Sequence, residues 1–131
     1  VVAIIGLLTA IAVPQYKDYV TKTQLTRAVG ELSTYKALYE ANAAVGRSVD
    51  NNAIGYVLSD LDKNNGALDV ASVNADGSGQ IQLTLGGNVT PILTDVVVSL
   101  ERSNTGSWEC VIDNSAATVW KDAYLPSGCR L

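Results

Sequence analysis

The chain has 131 residues, with 13 Asp and Glu against nine Lys and Arg, and it contains no His. Its length suits one domain with one modest core, and its net charge of −4 argues against a general nucleic-acid binder, which carries a basic patch. Without His, the usual catalytic triads and the commonest neutral metal ligand are missing. The composition therefore predicts a protein that is not an enzyme, with no cofactor and no metal.

The N-terminal segment is uncharged from Val1 to Val13, and Pro14 ends the run. As a helix, 13 residues span about 20 Å, which is less than the ~30 Å hydrocarbon core of a bilayer. The chain contains no Met, so we expect that upstream residues have been removed and that the apolar segment continued into them. The residues expected to be covered by a membrane or by a bundle of copies are Val1, Val2, Ile4, Ile5, Gly6, Leu7, Leu8, Ile11, Val13 and Pro14.

An amphipathic pattern follows the apolar segment. Apolar residues recur at spacings of three and four, which predicts that the helix continues with one face toward a core. They are Leu25, Ala28, Val29, Leu32, Tyr35, Leu38 and Tyr39. The sequence thus predicts one helix of about 45 residues, with a kink or local loss of hydrogen bonding at Pro14 and a C-terminal cap at Gly46.

The second half of the chain carries strand patterns. We predict a loop over residues 47–65, an edge strand within residues 66–73, and three alternating strands around 81–85, 96–100 and 108–112. Turn residues separate the three alternating segments, so they form an antiparallel meander. The helix stripe supplies a partner for its apolar face, which predicts an α+β fold with a long N-terminal helix packed on an antiparallel meander β-sheet.

The only two cysteines, Cys110 and Cys129, lie near the C-terminus. Such a pair suggests a disulfide formed in an oxidising compartment, and two buried free thiols are the alternative. Asp60, Asp62 and Asn64 resemble a calcium loop only weakly, because the register departs from the EF-hand pattern and no bidentate Glu follows. A solvated turn is the favoured interpretation there.

Both ends of the sequence resemble type IV pilins, the subunits of retractable bacterial surface fibres. The N-terminal motif is V-V-A-I-I-G-x-L-x-A-I-A-x-P-x-Y, and the ending, G-S-W-E-C followed by K-D-A-Y-L-P-S-G-C-R-L, is similar to the G-x-W-x-C…P-x-x-C ending of pilins from Pseudomonas-like bacteria. The resemblance implies the pilin fold, with a C-terminal loop closed by the Cys110–Cys129 disulfide. It also implies that the chain begins about eight residues inside a mature protein whose leader was removed.

The resemblance further implies the major structural subunit of a type IV pilus, used in adhesion and twitching motility. Residues 1–24 would form a protruding helix, held first in the inner membrane and then in the filament core, and residues 25–131 a globular head. The expected partners are other copies of the chain and the inner-membrane pilus assembly machinery, and no nucleic acid is indicated. Candidate charges for contacts between subunits are Lys17, Asp18, Lys22 and Arg27.

The C-terminal loop is the candidate contact with a host glycan or an abiotic surface. Its candidate residues are Asp122, Ala123, Tyr124, Leu125, Pro126, Ser127 and Gly128. The simpler interpretation is that the disulfide only fixes the last strand to the sheet while Trp120 packs inside, and we favour it for most of the loop. Two other functions stay open for the chain: a type II secretion pseudopilin or minor pilin, and a single-span membrane-anchored binding domain.

Overall fold

The structure, a computed structural model, describes residues 1–131 as a long helical arm leading into an α+β head. Two helices come first, α1 (Val2–Ser33) and α2 (Lys36–Ala44). The sheet contains β1 (Ala71–Val73), β2 (Gly79–Thr84), β3 (Val97–Arg102), β4 (Trp108–Asp113) and β5 (Cys129–Arg130), side by side in chain order. This confirms the predicted fold class.

The predicted single helix of about 45 residues is wrong in one respect, because the structure divides it between Ser33 and Lys36. The Thr34 hydroxyl donates to the Glu31 carbonyl at 2.7 Å, and the Tyr35 amide bonds to Leu32, only three residues back. Hydroxyl side chains that bond to nearby backbone compete with the helical ladder in this way. Pro14, where a kink or a local loss of hydrogen bonding was predicted, lies inside α1 and does not interrupt it.

The end of α2 has the glycine cap that the sequence predicted. Gly46 has a φ of 71°, a left-handed conformation that favours glycine. Its amide bonds to the Ala43 carbonyl, and the Arg47 amide bonds to Asn42, which is the pattern of a Schellman motif. The chain therefore leaves the helix sharply and enters the long connection to β1.

The core lies between the helices and one face of the sheet. Leu25, Leu32 and Tyr39 from the helix stripe are buried, but Leu38 is half exposed, contrary to prediction, because the break after Ser33 changes the phase of the apolar face. Most of the alternating strand residues behave as predicted, although Ser99, expected on the polar face of its strand, is buried too. Those that point inward and are buried are Ile81, Leu83, Val98, Leu100 and Ile112, joined by Leu85 and Val96 beside their strands.

The sheet differs from a plain meander at both edges. The predicted edge strand within residues 66–73 is confined to β1, which pairs antiparallel with β2. At the other edge β5 pairs parallel with β4, which the turn pattern did not predict. The connection over residues 45–70 lies on the β1 side and residues 114–128 on the β5 side, so the two long loops occupy opposite edges of the head.

Candidate functional site

The N-terminal arm exposes nearly all of its apolar side chains. Its large residues range from Val1, 94% exposed, to Val13, 47% exposed. The others in this range are Val2, Ile4, Ile5, Leu7, Leu8 and Ile11, and Gly6 has no atom near the position of a Cβ. None of the helices combines the length and the apolar composition that crossing a membrane requires. An apolar surface of this extent marks an interaction site on a protein.

The four candidate intersubunit charges fall into two groups. Lys17 and Lys22 are exposed and make no ion pair within the chain. Arg27 instead bonds to Glu31 and to Asp60, and the hydrogen bond from Arg27 lowers the pKa of the Asp60 carboxyl. Asp18 accepts hydrogen bonds from the C-terminal loop. The role between subunits stays a prediction for all four, and two of them already have partners in the monomer.

The predicted disulfide between Cys110 and Cys129 is present, with their Cα atoms 4.5 Å apart. The two residues are direct partners across the parallel pair of β4 and β5. Arg130 adds a second link, because its guanidinium bonds to the Glu109 carboxylate on β4. The disulfide and this ion pair fix the chain end to the sheet and close the loop over residues 111–128.

The closed loop turns its largest side chains inward. Tyr124 is only 4% exposed, and its ring packs edge-on against Trp120 with 5.5 Å between the ring centroids. Pro126 is buried as well, and Leu125 is half-buried. Four of the seven candidate receptor residues remain exposed: Asp122, Ala123, Ser127 and Gly128. Tyr124, a leading binding candidate from the sequence, is therefore largely unavailable to a ligand in this conformation.

A latch joins this loop to the helical arm. The Lys121 Nζ atom lies 3.1 Å from each carboxylate oxygen of Asp18, and the Tyr124 hydroxyl donates to the same carboxylate at 3.2 Å. The hydrogen bond to Asp18 raises the pKa of the Lys121 ammonium, and burial raises the pKa of the Tyr124 phenol. Thr21, one turn further along α1, is 3% exposed, so the head begins to cover α1 between Asp18 and Thr21.

The turn around Asp62 is an organised part of the long loop. Asp62 is 6% exposed, and its carboxylate accepts the backbone amides of Asn64 at 2.8 Å and Gly66 at 2.9 Å. The Tyr56 hydroxyl donates to it at 3.1 Å, and burial raises the pKa of Tyr56 to about 12. No group of three or more His, Cys, Asp and Glu side chains is arranged to hold a metal ion. The carboxylate stabilises the turn instead.

Sequence reasoning missed a cluster of hydrogen-bonded side chains that links α2 to β3 and β4. The Glu40 carboxylate on α2 accepts Arg102 Nε at 2.6 Å and Trp108 Nε1 at 2.9 Å. Arg102 Nη1 also donates to the Gly77 carbonyl at 2.6 Å. The partners of Glu40 are 62 and 68 positions away along the chain, so no local pattern could have signalled the contact.

Comparison with known proteins agrees with this architecture. The sequence model of the pilin family, described as Pilin (bacterial filament), matches residues 21–130. A fimbrial protein of Pseudomonas aeruginosa is 37% identical over 138 residues, covering 98% of this chain and 89% of the relative. A type IV major alpha-pilin of Moraxella bovis is 35% identical over 142 residues, with coverage of 98% and 89%, and fimbrial protein Q of the same species is 34% identical over 145 residues, with coverage of 99% and 90%. The chain therefore belongs to the pilin family and is a structural subunit of a bacterial filament, the function class predicted from its sequence.

Proposed function

We propose that this chain is the major subunit of a type IV pilus and polymerises through its N-terminal arm. The observation that carries the proposal is the uncharged helix of residues 1–13, whose large apolar side chains have no partner within the chain. Burying one such side chain contributes about 1.5–3 kcal/mol, so the eight large ones supply at most on the order of 12–24 kcal/mol for association. Named relatives that are fimbrial proteins and a type IV major pilin support the same function.

Each copy presents a helical arm and a separate head, so its contacts with other copies are between different surfaces. Contacts of this kind propagate into an open helical filament unless the rotation closes a ring. Before assembly the arm lies in the inner membrane, where the assembly machinery collects the subunit. The proposed division is an arm of residues 1–24 and a head of residues 25–131, although Asp18, Thr21 and Gln24 already contact the head.

The finished fibre extends from the cell surface and serves adhesion and twitching motility. The exposed part of the C-terminal loop is the proposed contact with a host glycan or an abiotic surface. It consists of Asp122 and Ala123 before the buried Tyr124, and Ser127 and Gly128 after it. Because the disulfide and the latch hold both sides of this segment, a ligand meets a preorganised surface, which reduces the entropic cost of binding.

Electron microscopy of fibres sheared from cells that carry the full-length gene, compared with a deletion strain, tests the function. We expect fibres composed mainly of this polypeptide that disappear on deletion. Normal fibres in the deletion strain would contradict the major-subunit role and favour a minor pilin, a pseudopilin or an anchored binding protein. Twitching on a surface and binding of intact fibres to immobilised glycans test the two uses separately.

A further inference from the structure

A groove opens at the base of the head, where the helical arm emerges. One wall is the arm itself at Val13 and Pro14, the second is the connection between β2 and β3 at Pro91 and Ile92, and the third is the C-terminal loop at Val119 and Tyr124. Its volume is about 480 Å³. Three segments distant in sequence therefore converge on one largely apolar surface, which we call the base groove.

The groove continues the apolar surface of the arm. Val13 and Pro14 are the last residues of the apolar run and also a wall of the groove. Three charged side chains line the groove: Asp18 and Lys121 pair with each other in the latch, and Lys17 is exposed and makes no ion pair within the chain. The walls at Val13, Pro14, Ile92 and Val119 are apolar, so an apolar helix segment matches them, while the long side chain of Lys17 at the rim keeps its ammonium group in water.

The chain cannot fill the groove with its own arm. The helix is continuous from Val2 to Ser33, so residues 1–12 extend away from the groove, and folding them back would break the helix. The arm of another copy has the required chemistry. Its single polar side chain before Pro14, Thr9, donates its hydroxyl to the Ile5 carbonyl of its own helix at 2.9 Å, which leaves no unpaired donor to be desolvated.

We propose that the base groove holds the N-terminal arm, residues 1–13, of a second copy of this chain. The inference rests on the proposed filament and specifies one of its contacts: a groove on the head of one subunit against the helix of another. Because groove and helix are different surfaces, each copy can both receive an arm and donate one, as an open filament requires. The latch then acts as a positioning element, since it holds the loop wall of the groove against α1.

Cysteine cross-linking in intact fibres tests the contact directly. Ile92→Cys is combined in turn with a cysteine at Ile4, Leu8 or Ile11, three positions on one helix face, so that no register is assumed. Leu68→Cys, 61% exposed on the loop at the opposite edge of the head, replaces Ile92→Cys in the matched controls. We expect mild oxidation of sheared fibres to give covalent multimers with at least one Ile92 pair and none with the Leu68 pairs or with single cysteines. If all three Ile92 pairs form fibres and none of these fibres gives covalent multimers on oxidation, the proposal is overturned.

A charge placed in the groove gives a second, independent readout. We expect Ile92→Asp to lose surface fibres while the membrane-held pool of the subunit is unchanged, and Leu68→Asp to assemble normally. Release of the intact variant from the membrane into the soluble fraction would identify a lipid chain as the occupant and overturn the proposal. Normal fibres from Ile92→Asp would refute the groove contact while leaving the pilus function intact. A lower thermal midpoint of Ile92→Asp would mean that the charge destabilises the head itself. The cross-linking result then tests the contact, because cysteine keeps a small apolar side chain at position 92. Absence of fibres from the unchanged chain would overturn the pilus function itself, and this inference with it.

Discussion

The latch between α1 and the C-terminal loop makes a quantitative prediction, because three of its hydrogen bonds end on one carboxylate. Asp18→Ala removes the ion pair to Lys121, whose two side chains are 50% and 31% exposed. An exposed pair contributes about 0.2–1 kcal/mol. The same change leaves the Tyr124 hydroxyl, in a residue that is 4% exposed, without the acceptor it has at 3.2 Å, which costs about 1–3 kcal/mol.

We therefore expect Asp18→Ala to lower the free energy of unfolding by about 2 kcal/mol. The value lies in the lower part of the range because the Asp18 carboxylate is 31% exposed and water can partly replace it as the acceptor. For a domain of this size that shifts the thermal midpoint by about 10 °C. Tyr124→Phe removes the donor together with its need for an acceptor, so Asp18→Ala should cost about 1 kcal/mol less in the Tyr124→Phe background. Thermal unfolding of the full chain in detergent, followed by near-ultraviolet circular dichroism and Trp fluorescence, measures all four variants of this cycle.

Lys22→Ala is the matched control, because Lys22 lies on the same helix, is exposed and makes no ion pair within the chain. We expect it to leave the midpoint unchanged. Equal effects of Asp18→Ala in the Tyr and Phe backgrounds would refute the hydrogen bond from Tyr124, and no effect in either background would refute the whole latch. If Asp18→Ala then lowered fibre yield without lowering head stability, the carboxylate would act between subunits, as the sequence alone predicted.

Three further predictions concern the head. The hydrogen bond from Arg102 lowers the pKa of Glu40 in the folded state. The ionised Glu40 carboxylate therefore stabilises the fold above its unfolded-state pKa, and this stabilisation is lost as the pH falls through the lower folded-state pKa. Acid unfolding below about pH 4 should be steeper for the unchanged chain than for Glu40→Gln. Arg130→Ala leaves Glu101 and Glu109 facing each other across β3 and β4 without a cation between them. The thermal midpoint should therefore fall slightly at pH 7, and the difference should vanish once both carboxyls are protonated. The Cys110→Ser, Cys129→Ser double variant should lose about 3 kcal/mol in urea unfolding and expose residues 114–128 to proteases. Acid unfolding of equal steepness with Glu40→Gln, or an unchanged midpoint in either of the other two experiments, contradicts the corresponding contact.

Local patterns predicted most of the secondary structure for identifiable reasons. Alternation of apolar and polar residues specifies which face of a strand is buried, so Ile81, Val98 and Ile112 could be assigned to the core from the sequence. Glycine at the end of α2 predicted its cap because few other residues adopt the left-handed conformation. The break at Thr34 was not predicted, since the side chains of Ser33, Thr34 and Tyr35 tolerate a helix and only their contacts select the turn.

In the candidate site, too, some features could be predicted from the sequence and others could not. The sequence by itself determined the uncharged arm, the pair of cysteines and the family, because all three depend on residue type and on position within one segment. Only the tertiary structure decided that Tyr124 is buried, that Asp18 and Arg27 have partners within the chain, and that a groove forms at the base of the head. The physical reason is distance along the chain: Asp18 and Tyr124 are 106 positions apart, and such contacts arise from packing of the whole domain, which no periodicity within a segment records.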